Sequence, residues 1–199
     1  MTKREHIYYI LENYNMRDDA KDIHPDHVKF ALSKSWNNLL YDTFRKNSDS
    51  LNFYTKEYTS QSAVLNATTN KYEITLPAPI LQLPDTSLRE GVRSLTVDAW
   101  EDIEFVPQSE QENMLLYNLD VYNVDDVISY DVRFDKIIFG QEGTDVDLTT
   151  YDFRLSLVIP FSEYNDTDEL PVPSGKDMEF QNLTMQFLMQ MDPKLIENG

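Results

Sequence analysis

The apolar period of this chain changes twice, and that alternation constrains the fold more than any single motif. Apolar residues recur at helical spacing through the first 50 residues, alternate with polar ones from about residue 53, and return to helical spacing after about residue 174. A period near 3.6 gives a helix one apolar face, whereas a period of two gives a strand one buried side. Helices, then consecutive strands, then a helix predict an α+β fold rather than a doubly wound parallel sheet. Three regions follow: an N-terminal helical pair in 1–50, an antiparallel β-rich domain in 51–163, and an acidic loop, Pro-containing linker and C-terminal amphipathic helix in 164–199. That last helix is expected to pack on helices or on a neighbouring subunit.

Local signals fill in these regions. Thr2 and Glu5 stand at capping-box spacing ahead of Ile7, Ile10, Leu11 and Tyr14. Pro25 suits the first position of a second helix whose apolar face holds Val28, Leu32, Trp36, Leu39 and Phe44, ending near "KNSDS". "YEITL" and "SLTVDAW" alternate as strands. "ISYDVRFD" places Ile128, Tyr130, Val132 and Phe134 on one face, opposite Asp131, Arg133 and Asp135. "YDFRLSLVI" sends Tyr151, Phe153, Leu155, Leu157 and Ile159 inward, and Gly140 and Gly143 between these two segments predict an antiparallel hairpin joining them.

The terminal helix is expected to start near Ser174, which stands at capping-box spacing from Asp177. Phe180, Leu183, Phe187 and Met191 fall on one face, and Met178, Met185 and Met189 on the other. Two apolar sides suit a helix between two neighbours, either within its own fold or with one of them in another subunit.

Composition excludes much chemistry. The chain has no cysteine, which removes disulfides and thiolate or Cys-based metal sites. Lys3, Arg4, Glu5 and His6 interrupt the position of a signal peptide's apolar core, and no apolar run approaches the ~20 residues of a membrane span. The expectation is a protein made and kept inside a cell, without membrane contact. The formal charge of −18 is uneven: residues 1–50 hold eight basic and eight acidic side chains, and residues 101–150 hold two and thirteen. Such a field repels phosphates and argues against groove-type nucleic-acid binding. It suits solubility, a basic partner, or a surface along which DNA moves without adhering.

Candidate sites are few. Asp22, His24, Asp26 and His27 could present imidazoles to a metal, but Pro25 favours His24 or Asp22 as a helix cap. Asp166 and Asp168 have the opening spacing of a calcium loop, but the required glycine is replaced by Pro171 and the closing glutamate by Asp177. Glu101, Asp102 and Glu104, and Asp125 and Asp126, read as solvated turns rather than paired catalytic carboxylates. No nucleophile elbow, P-loop or dinucleotide fingerprint is present. No catalytic residue, cofactor or metal is therefore expected.

The order of segments carries a resemblance. "HPDHVKFALSKSWNNLLYDTFR" is followed by "YEITLPAPILQLP" and "VRSLTVDAW", then by "PFSEYNDTDELPVPSGKDMEFQNLTMQFLMQ", with Leu170-Pro171-Val172-Pro173 before the last helix. This architecture resembles the head-to-tail connector proteins of short-tailed bacteriophages, of the adaptor or tail-tubular type, and especially the ring proteins of crAss-like phages. The resemblance implies a non-enzymatic virion subunit, made in the host cytoplasm, that forms a ring below the portal, commonly twelve-fold. Its partners would be identical subunits, the portal and other tail or connector proteins, and DNA would pass its channel without specific binding. An assembly interface is expected at Leu170, Pro171, Pro173, Met178, Phe180, Met185, Phe187 and Met189. The alternative from another class is an acidic DNA mimic that inhibits a DNA-binding enzyme, with Asp131, Asp135, Asp145 and Asp147 standing in for phosphates.

Overall fold

A computed structural model describes residues 1–16, 23–84, 86–97, 104–107, 127–140 and 147–196. The chain is α+β and divides into two compact units, one of residues 1–54 with 160–199 and one of residues 55–159.

The first unit is helical. Helix α1 (Lys3–Asn15) opens with the full capping box: Thr2 accepts from the Glu5 N–H, and the Glu5 carboxylate accepts from the Thr2 N–H at 2.7 Å. Hydrogen bonds to the carboxylate from the Thr2 backbone N–H first and then from the Thr2 side chain hold the Glu5 carboxyl below its usual range. Helix α2 (Pro25–Lys46) starts at Pro25, with His24 as N-cap. Helix α3 (Asp177–Ile196) comes from the far end of the chain and packs on both α2 and α1.

Trp36 on α2 is fully buried at the centre of this unit. Tyr54, Tyr164 and Phe180 each meet its ring edge-on, with centroids 6.0, 5.8 and 6.0 Å away. Such pairs are worth about 0.5–1.5 kcal/mol each beyond burial. One side chain thereby ties together three segments distant in sequence.

The second unit holds two sheets. A three-stranded antiparallel sheet has the order β1 (Lys56–Ser62), β8 (Asp152–Leu157), β4 (Val92–Val97). A five-stranded sheet has the order β2 (Val64–Asn66), β3 (Lys71–Thr75), β7 (Lys136–Phe139), β6 (Val127–Arg133), β5 (Glu104–Pro107). All its neighbours are antiparallel except β5 and β6, which run parallel. Phe105 of β5 and Phe139 of β7 meet Phe153 of β8 at 5.8 and 5.5 Å, so aromatic rings join the two sheets. At Gly91 the backbone passes so close to Ile80 that an added Cβ would lie 1.9 Å from its Cγ2.

The expected hairpin between 128–135 and 151–159 does not form. Strand β6 turns back at once through Phe134 and Asp135 into β7, with Arg133 opposite Lys136, while β8 lies in the other sheet. Phe134 is therefore not inward: it is 89% exposed with φ 54°. Neither Gly nor Asn marks this turn, so the alternation of Tyr130, Val132 and Phe134 reads straight through it in the sequence.

Candidate assembly surfaces

The acidic loop is tied to the chain's own beginning. The carbonyls of Asp168 and Asp166 accept from the N–H groups of Lys3 and Arg4, both at 2.9 Å. A helix leaves its first N–H groups without internal partners, and this loop satisfies two of them. Leu170 N–H donates to the Met1 carbonyl, and Thr2 forms a β-bridge with Glu169. Asp168 shapes the loop by accepting from the Asn165 N–H at 3.0 Å. No three His, Asp or Glu side chains converge in metal-binding fashion among the described residues.

Two buried basic groups lie nearby. The Lys3 ammonium donates to the Tyr164 carbonyl at 2.6 Å and the Phe161 carbonyl at 3.3 Å, and sits 4.8 Å from the centre of the Phe161 ring. Burial pushes its pKa down. His6 is fully buried, edge-on to Phe180, and neither ring nitrogen has a hydrogen-bond partner. Its Nε2 lies 3.8 Å from an Asp177 carboxylate oxygen, too far for a hydrogen bond. Desolvation lowers its pKa and outweighs the opposing pull of Asp177.

The expected interface residues separate by burial. Leu170 and Phe180 lie in the core of the helical unit. Pro171, Pro173, Met185 and Phe187 are half-buried, and Met178 and Met189 are exposed. The helix starts at Asp177 rather than Ser174, because Gly175 takes a left-handed φ of 89° and holds Ser174 in a turn. Its buried stripe is Phe180, Gln181, Thr184 and Leu188. Thr184 is tolerated there because its hydroxyl donates to the Phe180 carbonyl at 2.8 Å.

A cavity of ≈ 270 Å³ opens in the same unit, its apolar lining formed by Leu39, Phe53, Tyr54 and Pro173. Charged groups of both signs also line it: Asp42, Lys46, and the paired Lys176 and Glu179. Phe53 is 68% exposed there.

In the strand unit, the β6–β7 turn stands on a braced stem. Lys136 donates to Glu73 at 2.7 Å, and Asn66 donates to the other Glu73 oxygen at 2.7 Å. These bonds, that from Lys136 first, hold the Glu73 carboxyl below its usual range. Leu76 N–H donates to the Asp135 carbonyl at 2.7 Å, and Arg133 donates to Asp131 at 3.0 Å. A second cavity, of ≈ 810 Å³, is lined in part by Arg89, Arg93 and Tyr130. Both guanidiniums already have carboxylates, Asp131 at 3.9 Å and Glu90 at 3.3 Å, and burial pushes the Tyr130 hydroxyl up to about 12.

The remaining candidates have local roles. His24 accepts from the Asp26 N–H through Nδ1 at 3.3 Å, so it caps α2. Of the proposed phosphate mimics, Asp131 pairs with Arg133 and Asp147 accepts from Thr149 at 3.0 Å, so neither is set out as a spaced charge. Asp22, Glu101, Asp102, Asp125, Asp126, Gly143 and Asp145 lie outside the described residues, and Glu104 is an exposed residue of β5. Among the described residues no helix is long and apolar enough to cross a membrane. Neither a protein-family model nor a curated protein matches the chain.

Proposed function

We propose that this chain is a structural virion protein of a short-tailed bacteriophage, a subunit of the ring that connects portal to tail and through which the genome passes. The observation that carries the reading is the element order: a helical pair, a β-rich domain, and a terminal helix that returns to the first pair around Trp36. That order is what the resemblance to connector proteins rests on. Exposed apolar side chains on both units, Phe53 and Met178 on one and Phe134 on the other, supply material for contacts between copies. The charge of −18 suits a channel wall that DNA passes without adhering, since each cation facing the lumen would hold a phosphate.

The test is to mix the purified full chain with portal rings from its own phage and examine the product by negative-stain microscopy and light scattering. A ring of this chain stacked on the portal is expected. A chain that stays monomeric and ignores the portal overturns the proposal.

A further inference from the structure

Phe134 occupies a conformation that its residue type resists, in a place where its side chain touches almost nothing of the described residues. At φ 54° it lies in the left-handed region, where a bulky side chain is an outlier, and it is 89% exposed. The β2–β3 turn, at the other end of the same sheet, reaches φ 53° with Asn70, a residue suited to that region. The stem beneath Phe134 is fixed by the Lys136–Glu73 pair and by the Leu76 bond to the Asp135 carbonyl. An aromatic group presented on a braced turn loses little freedom on binding, which is the property of an anchor.

We infer that Phe134 of one copy inserts into the cavity lined by Leu39, Phe53, Tyr54 and Pro173 on the helical unit of the next copy. The occupant is a second copy of this chain because the chain carries both halves. An apolar cavity of roughly 150 Å³ accepts benzene, and this one, at ≈ 270 Å³, has room for a phenyl group. Asp135, which follows Phe134 at the tip, has a counterpart in Lys46 of the cavity wall, where Asp42 also lies and Lys176 is already paired with Glu179. A knob on one unit and a hole on the other make a head-to-tail contact, the kind that closes into a ring. A single aromatic buries only about 150–250 Å², so it centres an interface that surrounding surface must complete. The inference rests on the ring reading.

The native chain lacks cysteine, which permits a direct test. A Phe134→Cys chain and a Phe53→Cys chain are mixed in the presence of portal and oxidised mildly. A disulfide joining the two different chains is expected, and a Phe134→Cys chain mixed with a Met16→Cys chain should give none. In parallel, Phe134→Gly should fold normally, as read by circular dichroism, yet self-associate about thirty-fold more weakly or worse, a hot spot's effect. Rings that form equally well with Phe134→Gly overturn the anchor and leave the ring reading standing. Disulfides only between two Phe134→Cys chains, or lost portal binding with self-association intact, overturn it as well. A native chain that assembles under no condition overturns both.

Discussion

The two units close their cores by opposite routes along the chain. The strand unit is continuous in sequence, and its two sheets meet through Phe105, Phe139 and Phe153. The helical unit is assembled from the two ends of the chain and carries buried polar groups, Lys3 and His6, in its interior. The difference lies in where each unit departs from a purely apolar, relaxed design. The helical unit does so inside, where burial penalises charge on His6 and Lys3. The strand unit does so chiefly outside, at the Phe134 turn, although Ser129 of β6 is buried with no hydrogen bond to its hydroxyl among the described residues.

The largest expected effects test whether the units are separate. Trp36→Ala should cost about 3–5 kcal/mol and reduce hydrogen-exchange protection in α1, α2 and α3 while the β8 amides stay protected. Phe153→Ala should cost a similar amount with the reverse pattern, since its side chain is fully buried between the sheets. Mass-spectrometric hydrogen exchange on the full chain checks both. Loss of protection throughout, from either variant, would break the comparison and make the chain one cooperative structure.

The next effect separates the two interiors by pH. In the folded chain the His6 pKa is lowered from 6.5, so below that pH the unfolded chain binds a proton that the folded chain refuses. Stability then falls as pH drops from about 6.5 toward the folded value. Asp177 and Glu5 oppose this loss, and the Met1 amino group reinforces it. Urea midpoints at pH 7.5 and 5.5 should differ more for the native chain than for a His6→Leu variant. Equal pH dependence in the two would show that His6 is not the group responsible.

How far these features were legible depended on how local their causes are. The capping box at Thr2, the start of α2 at Pro25 and the alternation of β8 were readable because each is decided within a few residues. The edge strands β1 and β2 were not: "KEYTSQS" and "VLN" carry no clear alternation, and their pairing to β8 and β3 supplies what periodicity lacks. Nor could local reading show that the Asp166 and Asp168 carbonyls complete the first turn of α1 from the far end of the chain. Spacing puts the buried face of α3 on Phe180, Leu183, Phe187 and Met191, whereas Thr184, polar by type, satisfies its hydroxyl within its own helix and turns inward. For the candidate surface, spacing points to the terminal segment but to neither Phe53 nor Phe134. Phe134 was hidden by its own residue type, since an aromatic continuing an alternation reads as core.

The smallest predicted effect bears most directly on that residue. A non-glycine side chain in the left-handed region costs roughly 1–2 kcal/mol, and glycine's extra chain entropy returns about 0.5–1 kcal/mol of that. Phe134→Gly should therefore stabilise the isolated chain by about 0.5–1 kcal/mol. Asn70→Gly, in the β2–β3 turn at the other end of the same sheet, should change it by a few tenths at most because Asn already tolerates its φ of 53°. Urea midpoints of the two variants against the native chain measure the difference. A gain at Phe134 alone would mean that the turn holds its phenyl ring outward at the expense of its own stability. A loss there would mean that the ring makes a stabilising contact within its own chain, and the outward anchor would lose its physical basis.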